Sequence, residues 1–215
     1  MIASQRPMTA KKARGTAVRR RARWGSLTRD QIVDAAISAV EEGHYEDMTI
    51  RSLASSLGVA PMSLYRHIRD KDDLLDEITD RLLSTTWRPK KGSEDWREWI
   101  VANSKRFRHL LVTQPAVLHV YLSHPVASPA ALERMRFVLG VLRDAGFSDA
   151  GARRTYAALH TYTIGFSALE ASRSKWDSAS EKTDAVMREL ATFTTARQFV
   201  AGLEMLLAGA LDVGQ

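Results

Sequence analysis

The chain has no cysteine. Disulfides, thiolate metal ligands and thiol nucleophiles are therefore excluded, and a reducing, cytoplasmic setting is expected. Proline is scarce, six in 215 residues. No apolar run approaches the ~18 residues that a membrane helix needs, so no membrane partner is expected. Arg and Lys near the start are not followed by an apolar stretch, which argues against a secretory signal. A Gly-rich phosphate loop, HExxH and GxSxG are all missing. The histidines (His44, His67, His109, His119, His124, His160) are scattered, with no clustered carboxylate–His set. An enzyme is not expected, and no cofactor or metal is assigned.

Acid is missing from one long stretch. Residues 1–29 carry nine of the 31 Lys and Arg and no Asp or Glu, and the other 22 face 25 acids over residues 30–215, a net of −3. The overall charge of +6 is thus a basic arm on a mildly acidic body. Such arms contact phosphates or a minor groove, although a disordered solubilising tail would have the same composition. Residues 1–25 lack periodicity and read as disordered without DNA. With 45% hydrophobic residues, the rest suffices for one large or two small helical domains.

Helical order is expected from Thr28. Thr28 and Gln31 have the spacing of a capping box, in which each side chain bonds the other's free backbone N–H. Ile32, Ala35, Ala36, Ala39 and Val40 then share one helical face, and Gly43 can end the helix. Thr49 can cap a second helix that buries Ile50, Leu53, Ala54 and Leu57 and is broken by Gly58. Pro61 suits the first turn of a third, where its missing N–H costs nothing; Leu64 and Ile68 face inward. Asp70, Asp72 or Asp73 can start a fourth, which carries Leu74, Leu75, Ile78 and Leu82. Residues 49–71, TIRSLASSLGVAPMSLYRHIRDK, are therefore two short helices around a Gly-containing turn, the layout of a helix-turn-helix.

The polar stretch RPKKGSE at 88–94 is the linker candidate, although helix four could serve both halves. The expected organisation is a basic arm at 1–25, a helix-turn-helix DNA-binding domain at 26–86 and a larger helical domain at 87–215. Helices are expected there near 95–112, 115–123, 129–145, 149–173, 179–190 and 194–212, with no strand alternation; the fold class is all-α. Residues 155–170 have almost no charge, and Phe199, Val200, Leu203, Leu206, Leu207, Ala210 and Leu211 follow helical spacing. These two helices could be the core of a monomer or the contact between two copies, with Ala157, Gly165 and Ala168 allowing close approach. A lone helix-turn-helix reads few base pairs, so a homodimer through helices near 149–173 and 194–212 is expected.

A recognition helix needs side chains that reach base edges and others that anchor on phosphate. Arg66 could bond guanine O6 and N7 bidentately, and Pro61 and Met62 could touch a thymine methyl. Tyr65, Ser63 and His67 can bond phosphates, with Lys71 one turn further on. Arg51 could reach a phosphate or a base, and Thr49 sits at a helix N-terminus that favours an anion. Taken singly, Tyr65 could be a packing residue and Arg66 or His67 solvated surface groups; together on one exposed face they support each other.

Residues 28–83 resemble the DNA-binding domain of the tetracycline-repressor (TetR) family. IVDAAISAVEEG, MTIRSLASSLGV and SLYRHIRDKDDLL carry the likeness, and Ser63, Leu64, Tyr65, Arg66, His67, Ile68 and Lys71 follow the family's order. The resemblance implies a recognition helix at Pro61–His67, with DNA contacts from Thr49, Arg51, Met62, Ser63, Tyr65, Arg66, His67 and Lys71. The C-terminal half resembles the ligand-binding domain of the tetracycline-repressor branch through DWREWI, HLLVTQPAVLHVYLSHP, LRDAGFSDAGARRTYAALHTYTIGF and FVAGLEMLLAGAL. In that branch the last two long helices make the dimer and inner helices enclose an effector pocket. Trp96, Trp99, Phe107, Tyr121, His160, Tyr162 and Phe166 are pocket candidates, apolar walls with a few polar tips, though aromatics at this spacing are also ordinary core. Arg173, Lys175 and Trp176 fall in an expected loop that could gate entry. His119 and His124 lie either side of a helix break and are not assigned as ligands. The expected function is a DNA-binding regulator, a repressor released from a palindromic double-stranded DNA operator by a small-molecule effector; the alternative is a DNA-coating protein without sequence preference.

Overall fold

Reciprocal caps start the first two helices. The computed structural model describes residues 27–45, 47–87, 92, 94–123, 126, 128–177, 189 and 192–214. The basic arm, most of the RPKKGSE linker, His124 and all but residue 189 of the helix expected at 179–190 lie outside the described residues. The Thr28 hydroxyl accepts from Gln31 N–H at 3.2 Å while Gln31 Oε1 accepts from Thr28 N–H at 3.1 Å, and α1 runs Arg29–Glu41. It ends at Gly43, whose φ of 84° lies in the left-handed region that favours glycine. Thr49 and Ser52 repeat the cap at 3.0 and 2.9 Å for α2, Ile50–Leu57, which ends at Gly58 with φ 70°. Then come α3 at Pro61–Leu64 and α4 at Lys71–Thr86, capped by Asp70 through the Asp73 N–H at 2.8 Å.

The regular third helix is shorter than the Pro61–His67 expected. After Leu64 the chain tightens: the N–H groups of His67 and Ile68 both reach the Leu64 carbonyl, at 2.8 and 3.0 Å. Leu64 and Ile68 are thereby both buried, and the His67 carbonyl is left to accept from the Arg29 guanidinium.

The C-terminal region consists of α5 (Trp96–Thr113), α6 (Pro115–Ser123), α7 (Pro129–Asp144), α8 (Asp149–Asp177) and α9 (Ala196–Gly214). Helix α8 continues past Ser172, so Arg173, Lys175 and Trp176 are helical rather than in a loop. The Arg173 side chain donates to Thr194 Oγ1 at 3.1 Å, which ties it to the start of α9. No strand occurs among the described residues, and no helix among them is long and apolar enough to cross a membrane.

Three apolar clusters organise the packing. The first joins α1–α4 around Ile32, Ala36, Leu53, Leu64, Leu74 and Ile78, and α6 adds Ala116 and Val120 to it. The second joins α5, α7, α8 and α9 around Trp99, Leu142, Phe166, Phe199 and Leu203. The third lies between them, with Leu83 of α4, Phe107 and Leu111 of α5, and Val117 and Leu118 of α6. Packing therefore crosses residue 86 on both sides, through α4 and α6. Asp80 of α4 also accepts the Ala130 N–H at 2.7 Å, at the start of α7.

Candidate DNA interface and interior cavity

Buried Leu64 anchors the recognition element, and its neighbours consequently point outward. Pro61, Met62, Tyr65 and Arg66 are exposed, Met62 by 69% and Tyr65 by 48%; Ser63 and His67 are half-buried. Arg51 and Arg66 are exposed and have no ion-pair partner among the described residues. Thr49 is exposed, but its hydroxyl already serves the α2 cap. Lys71 lies with its Nζ 5.3 Å from the centre of the Tyr45 ring, so the ammonium is held by a cation–π contact at the edge of this surface.

Arg29 belongs to the scaffold of this interface. Its guanidinium donates to Glu77, to Asp73 at 3.2 Å and to the His67 carbonyl, which clamps α1 and α4 onto the end of the recognition element. Burial pushes the Asp73 carboxyl up, but the Arg69 backbone N–H and Arg29 outweigh it and hold the group below the ordinary carboxylate value. Arg81 similarly bridges Asp30 at 2.7 Å and Asp34 at 2.9 Å. Counted along the chain, Arg29 is the last of the nine cations in the acid-free stretch 1–29. Asp73 and Glu77 at i, i+4 on α4 were the available sign that one arginine would be claimed by the fold.

The aromatic pocket candidates separate into three places. Phe107, Tyr121 and His160 meet ring to ring, and Trp99, whose ring packs on Phe137, lines the same cavity as His160. Trp96 packs edge-on against Phe147 at the start of α5, 5.5 Å between centres. Tyr162 and Phe166 turn toward α9: Tyr162 stacks on Phe199 at 5.5 Å and its hydroxyl donates to the Phe199 carbonyl at 3.2 Å. These two belong to α8–α9 packing. His119 faces the reading domain instead, its ring 5.8 Å from Tyr45. Among the described residues no group of three or more His, Asp or Glu is gathered to hold a metal ion.

Trp99 and His160 line an interior cavity of about 20 Å³, and Phe107 and Tyr121 pack behind His160. Phe107 lies parallel to His160 at 5.7 Å, His160 is nearly parallel to Tyr156 at 5.4 Å, and Tyr121 of α6 meets Phe107 and His160 edge-on. Burial, with Arg134 nearby, pushes the His160 imidazole down to about 4, so it is neutral at pH 7. Burial raises both Tyr121 and Tyr156, so both phenols stay protonated. Arg134, Asn103, Tyr156 and Thr163 line the cavity and were not among the sequence candidates. Arg134 was discoverable: Ala130, Arg134, Val138 and Val141 form one helical stripe, and arginine is the odd residue in it.

Comparison with known proteins gives one consistent result. The family model described as bacterial regulatory proteins, tetR family, matches residues 32–78, and the tetracyclin repressor-like C-terminal domain matches residues 88–213. An HTH-type transcriptional regulator of Saccharopolyspora erythraea is 34% identical over 139 residues, 65% of this chain and 59% of the relative, so the match spans well under two thirds of that protein. The tetracycline repressor protein class C of Escherichia coli is 28% identical over 80% of this chain and 78% of its own length. The solved structure of BioQ with its natural double-stranded DNA operator superposes with a TM-score of 0.67 at 28% identity, covering 86% of this chain and 98% of BioQ.

Proposed function

The chain belongs to the tetracycline-repressor family of bacterial transcriptional regulators, and on that premise we propose a homodimeric repressor that leaves a palindromic operator when a small molecule enters the cavity behind Tyr121. Helix α6 carries this reading. Within nine residues it sets Ala116 and Val120 in the core of the reading domain and His119 against Tyr45, while Tyr121 touches the aromatic wall of the cavity. A ligand that displaces Tyr121 shifts α6, and α6 supports the core beneath the recognition element. The ligand moves the equilibrium only by its differential affinity for the two states. A typical coupling of about 1–3 kcal/mol weakens DNA binding roughly 5–150-fold.

On DNA, Pro61, Met62 and Arg66 face base edges, and Thr49, Arg51, Ser63, Tyr65, His67 and Lys71 face the backbone. The likeness to BioQ, solved with its operator, supports this mode of docking. Two copies pair through α8 and α9. In support, Leu169 and Met205 are 60% and 75% exposed on these helices. Gly165 and Gly209 leave open space beside them for close approach. The pairing sets two recognition elements about one DNA turn, roughly 34–36 Å, apart. The place of action is the cytoplasm.

Selection of bound fragments from the source genome, checked by fluorescence anisotropy at two salt concentrations, tests the reading. A palindrome near a promoter is expected. Arg66→Ala should then relax base preference at one position of each half-site, at a cost of about 1–3 kcal/mol. Uniform, salt-sensitive binding without a consensus would leave the DNA-coating alternative.

A further inference from the structure

Arg134 is 8% exposed and sits on α7 facing the interior cavity. Among the described residues it has no ion-pair or hydrogen-bond partner. Its guanidinium carbon lies 4.0 Å from the centre of the Phe107 ring, so the contact it does have is to a π face. Elsewhere in the same domain an arginine is treated differently: Arg108 reaches Glu170 with two hydrogen bonds. A buried cation without a carboxylate is costly, and a π face compensates for it only in part.

A second unpartnered group adjoins the same space. His160 Nδ1 is buried with no hydrogen-bond partner. The imidazole is neutral, so the positive charge at this wall is Arg134's. Polar groups from Asn103 and Thr163 complete the lining beside the rings of Trp99 and Tyr156. At about 20 Å³ the space holds one water-sized body, so a larger occupant has to displace the aromatic wall to enter.

Resting on the effector-release reading above, we infer that this cavity receives the carboxylate of a small aromatic acid, with Arg134 as its counter-ion and His160 Nδ1 as a polar partner beside it. The planar rings of Trp99, His160 and Tyr156 in the lining suit a flat apolar body, and the guanidinium fork suits a carboxylate. Binding converts an uncompensated buried charge into a paired one. The anion is thus recognised by relief of a cost that the ligand-free domain carries, and a neutral molecule of the same shape relieves nothing.

The test compares benzoate with benzamide on the full-length protein, by calorimetry and by the unfolding midpoint. Benzoate should raise the midpoint and bind roughly tenfold to hundredfold tighter than benzamide. Arg134→Met should unfold at or above the wild-type midpoint without ligand and lose the preference for benzoate; Arg134→Lys should retain part of it. Equal binding of benzoate and benzamide, or an unchanged preference in Arg134→Met, overturns the inference. So does a large fall in the Arg134→Met midpoint, which would make the arginine a structural strut. A full shift from chloride alone, with nothing added by benzoate, makes the occupant an inorganic ion and overturns it also. Operator anisotropy is read in parallel: benzoate that binds through Arg134 without weakening the DNA complex defeats the release mechanism and leaves the anion site standing.

Discussion

Arg29 and Arg134 are both held within helix packing, yet one is surrounded by acceptors and the other by rings. In the reading domain Arg29 reaches Asp73, Glu77 and the His67 carbonyl, and Arg81 spans Asp30 and Asp34. These contacts fix α1 and α4 around the recognition element before any partner arrives. On α7, Arg134 faces a small cavity whose lining, among the described residues, holds no Asp or Glu. A surface that must present side chains at set spacing gains from having its scaffold charges already paired. A site that must answer to a ligand gains from a group whose partner comes from outside. On the proposed function, the difference separates a part that is rigid by construction from one whose energy depends on what it binds.

The hardest strain on this comparison is Leu64→Ala. Leu64 is fully buried beneath the reading surface, and truncation should cost about 2–5 kcal/mol, read as a lower urea midpoint with loss of operator affinity. If the two regions are as distinct as their packing suggests, calorimetry of a ligand at the cavity should change far less than DNA binding. Equal losses would mean that α6 makes them one unit.

A smaller effect is expected where the sensing domain is tight. A Cβ at Gly202 would stand 2.1 Å from the Tyr162 hydroxyl oxygen. Gly202→Ala must push the ring off α9, and overpacking of this kind costs about 1–3 kcal/mol. The unfolding midpoint should fall, and a neutral result would show the α8–α9 packing to be as yielding as the cavity.

The smallest concerns the paired charges themselves. The folded Asp73 carboxyl titrates below its ordinary value of 3.8. Its stabilisation is therefore present above pH ~4 and is lost as the pH falls through the folded value. Asp73→Asn should flatten that acid limb of the stability curve while costing up to about 1 kcal/mol at pH 7. An unchanged limb would assign the acid sensitivity to other carboxylates.

Local chemistry made much of the reading domain legible. The Thr28–Gln31 box, the Thr49 cap, the left-handed turns at Gly43 and Gly58 and the buried stripe from Ile32 to Val40 all depend on residues within a few positions of each other. The length of α3 was not legible. Past Leu64 the N–H groups of His67 and Ile68 share the Leu64 carbonyl, and the His67 carbonyl accepts from Arg29, 38 residues away. In the sensing domain the aromatic content was visible but its sorting was not. Periodicity put Tyr162, Phe166 and His160 on one helix without saying which neighbour each would face.

By itself the sequence determined the all-α class, the helix-turn-helix, the caps and the exposure of Pro61, Met62, Tyr65 and Arg66 around buried Leu64. Those follow from hydrophobic period and from backbone N–H groups satisfied locally. Only the tertiary structure decided that Arg29 is a clamp, that α6 lies between two cores, and that Arg134 is buried without an acid. Each of those depends on which side chains distant in the chain come within a few ångströms, and a one-dimensional pattern carries no such distances.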